Sequence, residues 1–150
     1  MTYLEWLERF ASLTPEIRAS LRSKILALDH RPLISVILPV YNSDLKFLSR
    51  AVESVRRQIY ENWEICIADD ASTDSKVRPF LADLAREDRR IKVFFREQNG
   101  HISACSNSAL SLARGEWCAL LDQDDELSEE ALAEVVCEIA VNPDAAIVYS

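Results

Sequence analysis

Ile34-Ser-Val-Ile-Leu-Pro-Val-Tyr-Asn42 is the stretch that decides the fold: a short buried strand, then a proline, an aromatic ring and an asparagine. Beyond it, a helix near Asp44–Arg57 places Leu45, Leu48, Val52 and Val55 on one face, and Glu64-Ile-Cys-Ile-Ala68 reads as a second strand. The same alternation then repeats. Lys76–Arg86 is a helix carrying Val77, Phe80, Leu81 and Leu84, Ile91–Phe95 a strand, and Ser103–Ala113 a helix. Trp117–Leu121 is a fourth strand, and Ser128–Val141 a helix with Leu132, Val135, Val136 and Ile139 inward. A fifth strand is expected from Ala145 to Tyr149, where the chain stops. Short apolar strands alternating with amphipathic helices imply an α/β fold, its mostly parallel sheet covered by helices on both faces.

Residues 1–31 read as a helical extension preceding the α/β part at 32–150. Thr2-x-x-Glu5 is a capping-box pattern for a short helix with Leu4, Leu7 and Phe10 on one side. Thr14 as N-cap and Pro15 at the first helical position start a second helix, with Ile17, Leu21, Ile25 and Leu28 as its apolar stripe. The plain expectation is a helical pair packed on the main domain. If Trp6 and Phe10 are exposed, residues 1–30 instead dock onto a preceding domain, another subunit or a membrane surface.

Composition removes several function classes. Of 150 residues, 17 are Lys or Arg and 25 Asp or Glu, a net charge of -8 that argues against a nucleic-acid binder. No apolar run approaches the roughly 18 residues of a membrane span. Gly100 and Gly115, the two glycines, are too far apart for a dinucleotide fingerprint or a P-loop. A bound nucleotide therefore needs another way to hold its phosphates. Cys66, Cys105, Cys118 and Cys137 form no metal or disulfide spacing and point to a reducing, cytoplasmic compartment. Cys66 and Cys118, inside apolar runs, are expected to be small buried hydrophobes.

In open parallel sheets ligands bind outside the carboxyl ends of the strands, so the polar residues after each strand carry the chemistry. After the first strand, Tyr41 offers a face for a base, and Asn42 either caps the next helix or bonds a ligand edge. After the second comes the acidic run Asp69-Asp-Ala-Ser-Thr-Asp74, whose carboxylates suit an imide N–H or ribose hydroxyls, or simply a helix start. After the third, His101 can face a phosphate or be no more than a polar neighbour. After the fourth, Asp122, Asp124 and Asp125 crowd like charges. Mg²⁺ or Mn²⁺, which takes one or two carboxylates plus substrate phosphates, relieves that repulsion.

Together these segments resemble the nucleotide-sugar-binding half of family 2 glycosyltransferases, which have the GT-A fold. The matching residues are Ile34–Asn42, Ala68–Asp74, Asn99 and Gly100 with Asn107, and Leu121-Asp-Gln-Asp-Asp125, in the family's order. Gln58, Tyr60, Asn62, Trp63 and Glu64 before the second strand also fit. The resemblance implies that Pro39 and Tyr41 border the nucleoside, with Asn42 and Asp69 nearby, and that Asp70 contacts the base, commonly uracil. It makes Asp122-Gln123-Asp124 a D-x-D motif, Asp122 near ribose and metal, Asp124 the more direct ligand and Asp125 an alternative. His101 and Asn107 would touch the donor. Many relatives have Ala-Arg-Asn where Cys105-Ser106-Asn107 stands here, so the cation facing the donor is not assigned by the match.

The implied reaction is metal-dependent, inverting transfer from a UDP- or dTDP-sugar to a glycan or lipid-linked acceptor in polysaccharide or O-antigen synthesis, at the inner face of the membrane. The catalytic base is expected beyond Ser150, making this chain the donor-binding half of a truncated domain. A nucleotide-sugar-binding or assembly module without turnover is the alternative. A receiver domain is disfavoured, because Tyr41-Asn42 stands where it needs an acidic pair and Gln98-Asn99-Gly100 where it needs a phosphorylatable Asp.

Overall fold

The computed structural model describes residues 13–148. The expected first helix, with Trp6 and Phe10, lies outside the described residues. The described chain runs α1 (Pro15–Leu26), β1 (Ile34–Val40), α2 (Leu45–Arg56), β2 (Trp63–Asp69), α3 (Val77–Glu87), β3 (Ile91–Phe95), α4 (His101–Leu110), β4 (Trp117–Leu120) and α5 (Ala131–Val141). The four strands form one parallel sheet in the order β3-β2-β1-β4. β1 and β2 are buried along their whole length, as strands flanked on both edges and covered on both faces must be.

The two faces of the sheet differ. Ile34, Val36, Leu38 and Val40 of β1 join Ile65 and Ile67 of β2 in the larger core, under α1, α2, α3 and α5. On the opposite face Ile37, Cys66 and Ala68 meet α4 through Cys105 and Ala109. Because α4 is the one described helix contributing to that smaller core, part of β4 stays open there. Cys118 is exposed and Leu120 is 80% exposed. This corrects the expected burial of Cys118, whose position on β4 points to the uncovered face.

Local signals set the helix starts. Thr14 Oγ1 accepts from the Ile17 amide at 3.3 Å, and Asp44 accepts from the Lys46 amide at 2.8 Å. Leu21 and Ile25 enter the core, but Ile17 of the expected stripe is 48% exposed. α4 begins two residues before the expected Ser103. α5 begins only at Ala131, because Gln58 and Ile59 occupy the preceding turn: the Ser128 carbonyl accepts from Gln58 Nε2 and the Glu129 carbonyl from the Ile59 amide. Residues 145–148 form no strand, so the expected fifth strand is not found there; they pair with none of the four strands, and Ile147 stays exposed.

A polar brace locks the amino ends of the strands on the α4 face. Ser35 and Glu64 are register partners across β1 and β2. Glu64 Oε1 accepts from Ser35 Oγ at 2.8 Å and from the Arg114 amide at 2.6 Å, and Oε2 from Lys92 Nζ at 2.6 Å. Burial pushes the Glu64 carboxyl up, but Lys92, the Arg114 amide and Ser35 outweigh it and hold the group below its ordinary value of 4.5. That stabilisation is fully present above about pH 4.5 and is lost as pH falls through the lowered folded value. Gly115 completes the brace, since a Cβ there would lie 2.5 Å from the Leu33 carbonyl oxygen.

Two stability measurements check this brace. Glu64→Gln leaves Lys92 without its counter-charge and should lower unfolding stability at neutral pH by about 3 kcal/mol, with wild type and variant converging in acid. Gly115→Ala should lower Tm by about 5 °C through the backbone clash.

Candidate functional site

The site begins where β1 and β4 part. Their register ends at Ile37 opposite Leu120, and the Ile37 carbonyl accepts a last bond from the Leu121 amide at 3.1 Å. Val40 faces β2 instead, its carbonyl accepting from the Asp70 amide at 2.8 Å. Pro39, between them in the alternation, turns its ring nitrogen toward the β4 side, where it has no N–H to give. The chain beyond Ile37 on β1 is thus free of β4. Gln123 bridges the gap with a side chain: its Oε1 accepts from the Tyr41 amide at 2.9 Å and its Nε2 donates to the Tyr41 carbonyl at 3.4 Å.

A cavity of about 430 Å³ opens at this split, within the usual range for small-molecule sites. Of the residues expected from sequence, Pro39, Tyr41, Asp70, His101, Asp122 and Asp124 line it. Tyr41 is 43% exposed, leaving a ring face available at the mouth. His101 is the first residue of α4 and adopts φ 62.

Four expected residues do not line the cavity. Asn42 staples two loops: its Oδ1 accepts from the Thr73 and Asp74 amides at 2.8 and 3.0 Å, and its own amide donates to Ser72 Oγ. Asp69 is buried, accepting from the Ser72 amide at 3.3 Å and pairing with Arg78 at 3.4 Å. Asn107 is exposed along α4. Asp125 donates its amide to the Asp122 carbonyl in a tight turn.

The carboxylates lining the cavity differ in environment. Asp70 is buried, accepts from the Gly100 amide through both oxygens at 3.0 and 3.1 Å, and lies 2.7 Å from Arg96 Nε. Asp122 and Asp124 are exposed, and no Lys or Arg among the described residues pairs with them. The neighbouring acid, Glu126, is by contrast taken by Arg50 and Arg57. Among the described residues no three His, Cys, Asp or Glu side chains form a metal cage. Two uncompensated carboxylates on a cavity rim still fit a hard divalent cation that takes its remaining ligands from water and phosphate. Cys105 also lines the cavity. Burial pushes its thiol up, and Sγ donates to the Ala68 carbonyl, so it is a wall and not a nucleophile.

Sequence reasoning missed Arg96 and Gln123 as site-building residues. Arg96 directly follows β3, so its place at a strand end was the available signal, but unlike Asn99 and Gly100 it belongs to no motif. Gln123 had been only the spacer of D-x-D, and nothing local marks its bond to Tyr41.

The family model described as Glycosyl transferase family 2 matches residues 35–150. An uncharacterized protein of Sinorhizobium fredii, y4gI, is 46% identical over 150 residues, all of this chain and 16% of its own length. The O-antigen biosynthesis protein RfbC of Myxococcus xanthus is 31% identical over 140 residues, 93% of this chain and 11% of RfbC. The crystal structure of S. aureus TarS 1-349 in complex with UDP-GlcNAc aligns with a TM-score of 0.63 and 31% identity over 71% of this chain and 30% of that one. The chain thus spans about a sixth or less of these two curated relatives. With that family match over most of its length and a parallel sheet opening on this cavity, the chain belongs to glycosyl transferase family 2.

Proposed function

We propose that the cavity binds a nucleotide-diphospho-sugar, UDP- or dTDP-linked, and that the chain is the donor-binding part of a metal-dependent, inverting glycosyltransferase. One observation carries the reading: a ring face at Tyr41, a buried acceptor at Asp70 and two uncompensated carboxylates at Asp122 and Asp124 all surround one cavity. Together they suit a nucleoside diphosphate without a glycine-rich loop: a face and an acceptor for the base, and carboxylates for a cation that offsets the diphosphate charge. The TarS complex with UDP-GlcNAc and the O-antigen role in the name of RfbC support a nucleotide-sugar donor and a polysaccharide product.

Within this reading residues 32–150 are the donor domain and residues 1–31 its helical extension, with α1 held on the turn before α5 by Arg18 and Glu129 at 2.6 Å. Tyr41 stacks on the base and Asp70 accepts its ring N–H. Asp122 and Asp124 hold Mn²⁺ or Mg²⁺, which when bound supplies charge neutralisation on the diphosphate leaving group. The acceptor is a glycan or lipid-linked hydroxyl, which a base deprotonates for attack on the donor sugar. Turnover takes place on the cytoplasmic side, at the membrane's inner face. A binding or assembly module without turnover is the second reading. Transfer and donor-hydrolysis assays separate the two.

Calorimetric titration of UDP with and without Mn²⁺ tests the donor site. Binding should require Mn²⁺, and Asp124→Ala should weaken it by about 30-fold or more. Metal-independent binding, or none to any nucleoside diphosphate, contradicts the proposal. Tyr41→Ala should weaken UDP by about tenfold through lost stacking, at unchanged Mn²⁺ affinity.

A further inference from the structure

The contact between Arg96 and Asp70 is built with more care than an ion pair needs. Arg96 leaves the end of β3 and runs under the start of α4, where Nη1 donates to the Ala104 carbonyl at 3.0 Å and to Ser108 Oγ. Its path needs Gly100, because a Cβ there would lie 2.5 Å from Arg96 Nη2 and 2.8 Å from the Ala104 methyl. Nε reaches within 2.7 Å of Asp70 Oδ1, buried and not aimed along a hydrogen-bond line, so the contact is a Coulombic clamp. The Gly100 amide donates to both carboxylate oxygens. Oδ1 is therefore held twice, while Oδ2 has only its share of the Gly100 bond.

We propose that Arg96 is a positioning residue for nucleobase selectivity, clamping Oδ1 of Asp70 so that Oδ2 is presented to the cavity as an acceptor. This rests on the donor-site reading above and adds to it the origin of base choice. An ionised carboxylate can only accept. It pairs with a base whose ring nitrogen carries hydrogen, as the uracil imide does, and opposes cytosine, whose N3 is itself an acceptor. Without Arg96 the Gly100 amide, shared between the two oxygens, would favour neither, and the base would meet either oxygen. The Arg96 clamp, with the Gly100 approach that permits it, makes the acceptor fixed and the discrimination steep.

The test is calorimetric titration of UDP and of CDP, each with Mn²⁺, into wild type, Arg96→Met, Arg96→Lys, Ser108→Ala and Asp70→Asn. Wild type should prefer UDP by about tenfold or more. Arg96→Met should bring the two nucleotides within about threefold, chiefly by weakening UDP. Arg96→Lys, which keeps the charge, should restore part of the ratio. Ser108→Ala loosens Arg96 from the half-buried side of α4 without touching the cavity, and should lower the ratio in the same direction. It decides the matter if Arg96→Met does not fold. Equal weakening of UDP and CDP in these variants, or an unchanged ratio, overturns the assignment and leaves Arg96 as packing alone. Asp70→Asn, whose amide can donate to cytosine N3, should abolish the UDP preference; a retained preference also overturns the proposal. If wild type binds neither nucleotide, the donor-site reading itself has failed.

Discussion

The parting of β1 and β4 at Pro39 is the constraint on which the rest depends. A central strand of a parallel sheet ordinarily excludes proline, since every position is asked for an N–H. Here the proline sits just past the last β1–β4 bond, where its missing donor leaves nothing unpaired on β4. The chain leaves β1 toward β2 and β3, then returns to the other side of β1 as β4. That reversal is the place where open α/β sheets bind ligands. In this chain the reversal and the proline coincide, so the sheet opens where the topology demands a crevice.

What surrounds the crevice is held by side chains. The loop carrying Asp122 and Asp124 and the start of α5 are stitched to α2 and the turn after it: the Leu127 amide donates to Ser54 Oγ, the Leu132 amide to Gln58 Oε1, and Glu126 pairs with Arg50 and Arg57. Asn42 ties the end of β1 to the loop after β2, and Arg96 ties Asp70 to α4. Each tie runs between segments far apart in sequence. The acidic residues that line the cavity are thereby fixed by neighbours that never enter it.

How much was legible in the sequence follows from which forces are local. The strands at Ile34, Glu64, Ile91 and Trp117 showed themselves through short apolar runs, and the helices through their periodicity. Asp44 and Thr14 announced their helix starts because capping acts within three residues. Pro39, Tyr41, Asp70, Asp122 and Asp124, which line the cavity, were legible as candidates because strand ends are where such sheets bind. Tertiary pairing was not legible. Nothing local says that Gln58 spends its amide on the turn before α5, that Asn42 turns to Thr73, or that Arg96 passes beneath Gly100. The exposure of Cys118 and the lack of a strand at residues 145–148 have the same origin: an apolar run states a capacity for burial, and only the neighbouring elements decide whether it is met.

Among the described residues, three other than glycine take left-handed backbone conformations: Asn42 at φ 46, Ala71 at φ 59 and His101 at φ 62. Each lies where the chain turns from a strand end past the crevice, and an alanine there carries strain of about 1 kcal/mol. Glycine would relieve that strain and widen the conformations each turn can reach. The chain instead keeps a Cβ at all three, and side-chain bonds hold Asn42 and its neighbours in place. The consequence is entropic. The turns beside the crevice have fewer conformations open to them than glycine would allow, so less of a ligand's binding energy is spent on ordering them.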